Sequence, residues 1–400
     1  MSRNLSRRDF MKYNATAALV GVAAPLVAAR ALGAPSVPEI QTLEETRTFS
    51  MPPDYYYGWP TIARRDNELL VVASGGREGH VCPFGRVDLF RSKDNGKTWT
   101  WPQTLYDGPI DDRDAGICVT SKGTILVTTF TSLAYVGLLE EEIKFRAEGK
   151  PRLNIWSDGR YEKWMAVHRR LTDEQKKKEV GCWMLRSTDG GVTWSERYST
   201  PFNSPHGPIQ LSDGRLLYMG TELWTKEHRS GASISEDDGQ TWRVAGIVPV
   251  REGDSSSAYY ELHAVEATDG TIVAQIRNGN PNNSGETLQT ISKDGGETWS
   301  TPRSIGVWGL PSFLNRLQDG RLLMTYGYRR EPFGVQARVS DDCGETWSDP
   351  IILYGDATNG DLGYPATVQL DDGSLFTIWY EKMDGTWFAC LRCKRWKLVS

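Results

Sequence analysis

Acidic, basic and phenolic side chains recur at the same end of six predicted hairpins, either just before the first strand or just after the second. Arginine binds planar anions through paired hydrogen bonds, whereas carboxyl, imidazole and phenol groups transfer protons. Such a set fits the binding and cleavage of an acidic ligand. The candidate residues are Trp59, Arg77, His80, Asp114, His206, Glu261, His263, Arg277, Arg329 and Tyr364.

The hairpins that must position these residues are apolar stretches interrupted by tight turns. Most of the turns hold Asp-Gly or a related pair, which favours two-residue hairpin loops. In a propeller blade the first strand lines a central channel and the second runs back, so the candidates would meet at one mouth of the channel. The six stretches are 61–72, 117–128, 209–219, 264–275, 313–325 and 366–379.

A second repeat, S-x-D-x-G-x-T-W (the Asp-box), occurs five times in full. Its Asp can accept backbone N–H groups across a turn, its Gly adopts a conformation closed to other residues, and its Trp packs back onto the sheet. The box is therefore a structural turn, and its acids are not catalytic candidates. Six hairpins with five boxes predict an all-β, six-bladed β-propeller whose last blade lacks a box. The boxes span 92–99, 187–194, 235–242, 292–299 and 340–347.

The interval between the first two boxes is about twice as long as the others. Residues 132–180 carry no hairpin signal and are rich in charge, which predicts a partly helical insertion within blade 2; a hidden seventh blade is the alternative. The strand that closes the ring is expected from either 40–48 or the tail 387–397.

The first residues read as an address. Residues 6–12 fit the twin-arginine signal S-R-R-x-F-x-K, and an Ala/Val-rich run follows at 15–29. That run is short for a membrane span, so no membrane anchor is expected. We predict a signal peptide over 1–34, a single propeller domain over 35–400, and a periplasmic or secreted protein.

Composition narrows the classes of partner. The formal net charge is −5 and no basic stripe is present, which argues against nucleic acid. No phosphate-binding loop, dinucleotide fingerprint or zinc-type cysteine spacing occurs, so no cofactor or metal is predicted. Cys390 and Cys393 lie three apart on a probable strand and would point to opposite faces. The sequence carries no signal for an oligomeric state.

The Asp-boxes together with Arg277, Arg329, Glu261 and Tyr364 resemble the sialidase superfamily, which comprises exo-sialidases and their BNR-repeat relatives, over about residues 50–395. The resemblance implies that Tyr364 is a nucleophile polarised by Glu261, and that the two arginines bind a sugar carboxylate. A phenol has a pKa near 10, so a nearby carboxylate must take its proton as the bond forms. This is the tyrosine exception to the usual carboxylate pair of glycosidases.

Two departures from the family pattern mark a divergent subfamily, which we expect to accept a related acidic sugar. Trp59 occupies the place of the first-blade arginine, so either Arg77 or Arg113 completes the arginine set, or the anionic group is held differently. The family's acid is also replaced. The proton donor would be His80, Glu78 or Asp114.

Three hypotheses follow. The favoured one is a retaining exo-glycosidase with a Tyr nucleophile that cleaves a terminal sialic acid, or a related keto-deoxy or uronic sugar, from an acidic glycan. The second is a lyase or hydrolase on uronic-acid polysaccharides, with His80, His206, His263 or Tyr364 as base and acid. The third is a non-catalytic carbohydrate-binding propeller.

Overall fold

The computed structural model describes residues 38–50 and 55–399. The signal peptide predicted for 1–34 lies outside the described residues and stays a prediction. Within the described part of the chain, no helix combines the length and apolar character needed to cross a membrane.

The described chain is mainly β-sheet, and its strands form six four-stranded units numbered here in chain order. β1 (Ile40–Ser50) joins unit 6. Unit 1 holds β2 (Tyr56–Arg65), β3 (Glu68–Arg77), β4 (Arg86–Ser92) and β5 (Gln103–Tyr106), and unit 2 holds β6 (Asp111–Val119), β7 (Ile125–Ser132), β8 (Gly181–Ser187) and β9 (Tyr198–Ser199). Unit 3 holds β10 (Ile209–Gln210), β11 (Leu216–Thr221), β12 (Ser230–Ser235) and β13 (Arg243–Ile247), and unit 4 holds β14 (Tyr259–Glu266), β15 (Ile272–Asn278), β16 (Thr287–Ser292) and β17 (Arg303–Ser304). Unit 5 holds β18 (Ser312–Arg316), β19 (Leu322–Tyr328), β20 (Gly334–Ser340) and β21 (Ile351–Tyr354), and unit 6 holds β22 (Leu362–Gln369), β23 (Leu375–Lys382) and β24 (Ala389–Leu398).

The units form a β-propeller arrangement, and each predicted hairpin supplies the first two strands of one unit. Units 2 to 5 are separate sheets. Units 1 and 6 share an eight-stranded sheet because one parallel bridge joins Tyr56 to Ala389. β1 pairs antiparallel with β24, from Ile40 opposite Leu398 to Ser50 opposite Leu391. The two segments expected as alternatives for the closing strand therefore lie side by side in unit 6.

Three helices lie between β7 and β8, within the stretch for which a partly helical insertion is predicted: α1 (Val136–Ala147), α2 (Asp158–Arg169) and α3 (Asp173–Glu179). α3 begins with a capping box between Thr172 and Gln175, which satisfies N–H groups at its first turn. Trp164 of α2 packs in a buried cluster with Cys82 and donates from Nε1 to Glu78 at 2.8 Å. Glu78 also pairs with Lys163, so it anchors the insertion and is a poor candidate for the acid.

The Asp-boxes form the predicted turns between the third and fourth strands of units 1 to 5. In the box of unit 4, Ser292 Oγ accepts from the Gly296 backbone N–H at 2.9 Å, and Asp294 accepts from the backbone N–H of Thr298 at 2.9 Å. The Trp299 ring is buried in the apolar core between units 3 and 4, where it packs with residues such as Leu217. All six cysteines are free, including Cys390 and Cys393 on β24.

Candidate active site

Four first strands carry the same irregularity, a non-glycine residue with positive φ beside a shift in the strand pairing. The register shifts occur in β2, β6, β14 and β22. A left-handed conformation costs such residues about 1–2 kcal/mol, and a bulge re-aims a side chain relative to its strand. The four residues are Trp59 (φ 54°), Asp114 (φ 48°), Glu261 (φ 44°) and Tyr364 (φ 52°). All four are predicted site residues, and the same backbone irregularity occurs near the start of the first strand in each of their units.

The centre of the site is a hydrogen-bonded cluster of Tyr364, Glu261 and Arg277. Tyr364 Oη donates to Glu261 Oε1. Arg277 Nη1 donates to Glu261 Oε2 at 2.7 Å and lies 3.3 Å from Tyr364 Oη. Three side chains from β22, β14 and β15 thus meet through polar atoms.

Protonation in this cluster is set by burial and by the neighbouring charges. Burial, reinforced by the Glu261 charge, raises the pKa of Tyr364 well above its usual value. Burial would raise the pKa of Glu261 as well, but Arg277 and the Tyr364 hydroxyl lower it below its ordinary value. A neutral phenol therefore faces an ionised carboxylate, which is the arrangement of a nucleophile and its base.

Arg329 flanks the same phenol. Its Nε donates to the Leu362 carbonyl at 2.8 Å, and its guanidinium carbon lies 5.8 Å from the centre of the Tyr364 ring. Its Nη2 lies 3.4 Å from Tyr380 Oη. Arg277 and Arg329 therefore place two positive charges around Tyr364.

The two candidates for the third arginine differ in access. The Arg77 guanidinium is fully buried and donates to Asp111 Oδ1 at 2.7 Å. The role of Arg77 in substrate binding stays a prediction. Arg113 lies 4.6 Å from the Trp59 ring, and its nearest carboxylates, Asp111 and Asp114, are 3.9 Å away. Its Nε has no hydrogen-bond partner within the part of the chain that the structure describes. Arg113 therefore keeps bonding capacity for a ligand.

Trp59 is only 1% exposed. Its ring lies 5.0 Å from the Arg77 guanidinium and 6.4 Å from the Tyr364 ring. It packs among the charged groups, and its role in substrate binding stays a prediction.

Asp114 is a buried carboxyl group with spare hydrogen-bonding capacity. Its Oδ1 finds no partner among the described residues. Burial raises the pKa of Asp114 to about 7, with Arg113 opposing the rise and Glu261 adding to it. A carboxyl group that keeps its proton near neutral pH can donate it to a leaving group.

His80 lies in the loop after β3, and its side chain is 42% exposed. Its Nδ1 is 3.2 Å from Asp361 Oδ1 and 3.0 Å from Tyr56 Oη. Desolvation lowers the pKa of His80, and the hydrogen bond with Asp361 opposes that effect. His80 therefore reaches the mouth as a largely neutral imidazole.

His206 and His263 are buried, at 1% and 3% exposure, as is Tyr364 at 4%. The role of the two histidines in substrate binding stays a prediction. The His206 ring lies 6.2 Å from the Tyr364 ring, and neither of its nitrogens has a partner within the described ranges. His263 accepts from the Leu314 N–H at 2.9 Å and stacks on Phe313. Burial lowers the pKa of His206 to about 4 and holds that of His263 well below its ordinary value, so both form a neutral packing layer near the phenol.

Sequence reasoning missed Asp361, Tyr56 and Tyr380 as site residues. Asp361 Oδ1 accepts from both phenols at 2.9 Å, in addition to its contact with His80. The available signal was position, because Asp361 precedes Tyr364 by three residues and Tyr380 lies near the end of the second strand of the same hairpin. Across the described ranges, no group of three or more His, Cys, Asp or Glu side chains is arranged to hold a metal ion.

The fold and the site define a sialidase-like β-propeller, and comparison with known proteins supplies the family. A family model described as a BNR repeat-like domain matches residues 144–377, more than half of the chain. The chain belongs to this BNR repeat-like family.

Curated relatives are distant. A sialidase of Micromonospora viridifaciens is 23% identical over 354 residues, which cover 81% of this chain and 49% of that protein, so the chain spans about half the length of this relative. A sialidase of Paraclostridium sordellii is 22% identical over 362 residues, covering 82% of this chain and 81% of that protein. The predicted resemblance to the sialidase superfamily is confirmed as distant homology.

Solved structures agree on the fold. A protein of unknown function from Dyadobacter fermentans superposes with a TM-score of 0.72 at 24% identity, covering 91% of this chain and all of that one. A Hadza microbial sialidase gives 0.59 at 18% identity, with 85% and 65% covered. An intramolecular trans-sialidase from Ruminococcus gnavus gives 0.57 at 14% identity, with 86% and 96% covered. These identities establish the propeller fold alone.

Proposed function

We propose that this protein is a glycoside hydrolase of sialidase type, a retaining exo-glycosidase that removes a terminal acidic sugar, sialic acid or a relative of it, from a glycan. The observation that carries the proposal is the cluster in which a neutral Tyr364 donates to an ionised Glu261 held by Arg277. Distant homology to two sialidases supports the same reaction class.

Binding begins with the sugar carboxylate. Arg277, Arg329 and Arg113 present guanidinium groups around Tyr364 and Trp59, and such groups hold a planar anion through paired, charge-assisted hydrogen bonds. A neutral phenol suits this environment because it does not repel the substrate's own negative charge. A carboxylate nucleophile at the same place would.

In the first chemical step, Tyr364 Oη attacks the anomeric carbon while its proton passes to Glu261. The bond to the leaving oxygen breaks, and Asp114 supplies the proton that this oxygen needs. Asp114 suits the role better than His80, because burial keeps its carboxyl protonated up to about pH 7. Water then displaces Tyr364 from the covalent intermediate with a second inversion, so the configuration is retained.

The test is turnover of a fluorogenic sialoside and a matched fluorogenic uronoside, with ultraviolet absorbance of unsaturated products followed in parallel. Hydrolysis by the wild type that is abolished in Tyr364→Phe supports the proposal. An unsaturated product without hydrolysis means elimination instead. Binding without any product, unchanged in Tyr364→Phe, means a carbohydrate-binding propeller.

We further propose that the six units are the blades of one propeller domain over 35–400, with 132–180 inserted in blade 2, and that the protein is exported through the twin-arginine pathway. Amino-terminal sequencing of the protein recovered from periplasm or medium tests the export. A mature terminus near residue 35 supports it, and cytoplasmic retention with an intact leader refutes it.

A further inference from the structure

We propose that His80 and Asp361 form a second acid–base unit at the mouth, in which Asp361 orients His80 so that its Nε2 accepts a proton from the water that completes the reaction. The inference rests on the proposed function, and it assigns the base of the second step. Asp361 is the positioning residue and His80 the group that faces the substrate.

The hydrogen bonds around Asp361 fix the tautomer of His80. Asp361 Oδ1 lies 2.9 Å from Tyr56 Oη, 2.9 Å from Tyr380 Oη and 3.2 Å from His80 Nδ1. An ionised carboxylate only accepts hydrogen bonds, and the Tyr56 hydroxyl donates its one hydrogen to Asp361. The hydrogen of a neutral His80 must therefore sit on Nδ1, which leaves a lone pair on Nε2.

Exposure distinguishes His80 from a structural histidine. Its side chain is 42% exposed, whereas Tyr56 and Tyr380 beside it are 1% and 0% exposed. The Trp59 ring packs perpendicular to the imidazole, with ring centres 5.0 Å apart. The ring is thus held at Nδ1 and by Trp59, and a substantial part of the side chain still reaches solvent.

The charges that face His80 support a neutral base. Asp361 contacts the ring and favours its protonated form, whereas the positive charges of Arg113 and Arg329 oppose it. Two buried phenols, Tyr56 and Tyr380, donate to the same Asp361 oxygen, and Arg77 donates to the His80 carbonyl. Asp361 stays ionised: burial would raise its pKa, but the hydrogen bonds from His80 and Tyr380 and the Arg329 charge hold it well below the usual range.

In the second step, His80 Nε2 takes one proton from water as the water oxygen bonds to the anomeric carbon. The bond between that carbon and Tyr364 Oη breaks, and Glu261 returns the phenolic proton. The proton on His80 then passes through solvent to Asp114, which lost its own to the leaving group. The net reaction is glycoside plus water to free sugar and alcohol.

The first test needs no substrate. In protein labelled with nitrogen-15 histidine, the spectrum should show His80, assigned through its loss in His80→Gln, as the Nδ1–H tautomer. Asp361→Asn should remove this preference, while Asp319→Asn, at an exposed hairpin turn, should leave it intact. A wild-type His80 that carries its hydrogen on Nε2 overturns the proposal.

The second test separates the two chemical steps. In His80→Gly the leaving group should still depart, so a fluorogenic substrate should give a burst of about one equivalent, followed by turnover slowed about a hundredfold. Added imidazole should restore turnover. His228→Gly, a histidine in the β11–β12 loop that is not part of the site, should show neither effect.

The two proposals can fail separately. If wild-type protein hydrolyses the substrate but His80→Gly shows no burst and no response to imidazole, His80 is not the base and the hydrolase proposal stands. If the wild type turns over no acidic glycoside, the proposed function fails and the catalytic role of His80 fails with it.

Discussion

Two aspartates at opposite ends of the blades show how one side chain serves two purposes. Asp237, in the Asp-box of unit 3, accepts from Ser235 Oγ at 2.8 Å, from the Thr241 N–H at 2.9 Å and from Thr241 Oγ1 at 2.6 Å. Burial would raise its pKa, but the hydrogen bonds from Thr241 lower it. Asp114 at the mouth has an oxygen without a partner in the described chain and a pKa raised to about 7. The satisfied carboxylate stabilises a turn, and the unsatisfied carboxyl keeps the proton that the proposed first step requires.

The backbone repeats this contrast. At the turns, positive φ falls mostly on residues that tolerate it, such as Asn95 and Asp238, with Cys343 as an exception. At the mouth it falls on Trp59, Glu261 and Tyr364, for which strain costs about 1–3 kcal/mol each. Strain that another residue type would relieve is retained where it places a side chain for the site.

Tyr364→Phe should give the largest effect that separates the two ends. Loss of the nucleophile should lower kcat for a fluorogenic acidic glycoside by about 10³-fold or more, with folding unchanged because the phenyl ring fills the same space. Glu261→Gln should lose about 10²-fold, since the phenol keeps a hydrogen-bond partner but no base. Tyr328→Phe, on β19, is the matched control and should stay within twofold. Retained turnover in Tyr364→Phe would remove this tyrosine from the mechanism.

Asp114→Asn should lower kcat by about 10²-fold for substrates with poor leaving groups, and much less for those with good ones. In the wild type, kcat should fall as pH rises through about 7, because Asp114 must be protonated in the first step. The variant should lose this basic limb. A basic limb that survives in Asp114→Asn, measured over the same pH range, would assign the acid elsewhere.

Asp114 should also destabilise the wild type at high pH. The pKa of Asp114 is about 7 in the folded state and about 3.9 in the unfolded state. At pH values between these two, the folded state therefore binds more protons than the unfolded state. Its contribution to stability is present below pH 4 and is lost as pH rises towards 7. From pH 5 to pH 8, denaturant unfolding should shift in favour of Asp114→Asn by about 3 kcal/mol. A difference that is independent of pH would mean that Asp114 is ionised throughout.

Arg113→Lys tests which arginine completes the anion site, with a smaller expected effect. A lysine keeps the charge but loses the paired hydrogen bonds, so KM should rise about tenfold with little change in kcat. Arg321→Lys, at an exposed hairpin turn, should change neither. Unchanged KM in Arg113→Lys would exclude Arg113 from ligand binding.

The fold was readable from sequence wherever its signals are local. Asp-Gly turns and the Ser-Asp-Gly-Trp pattern act within a few residues, so the hairpins and the boxes occur where they were predicted. The pairing of β1 with β24 was left open, because the two segments lie at opposite ends of the chain and only their contact decides the register. Two-residue edge strands such as β9 and β17 carried no periodic signal at all.

The sequence predicted where the site residues lie along the strands but not how deeply they are buried. Tyr364, Glu261, Arg277 and Arg329 come together as the strand ends predicted. The position of Arg77 in its hairpin did not predict that its guanidinium pairs with Asp111, because that ion pair depends on packing between units 1 and 2. The burial of Trp59, His206 and His263 and the network around Asp361 likewise arise from contacts between distant segments.

Asp237→Ala should have the smallest effect on activity. In contrast to Asp114→Asn, it should lower stability and leave activity unchanged. Removing the carboxylate leaves the Thr241 N–H and hydroxyl unpaired at a half-exposed turn, so the free energy of unfolding should fall by about 1–2 kcal/mol. kcat and KM should stay within twofold, because the box lies at the end of β12, the same end as the hairpin turns and opposite the mouth. Denaturant unfolding and the fluorogenic assay on the same samples measure both. Stability lost without activity at Asp237, and activity lost without stability at Asp114, together show that the boxes hold the blades while the strained strand starts carry the chemistry. A large loss of activity in Asp237→Ala would instead couple the box to the mouth and break that division.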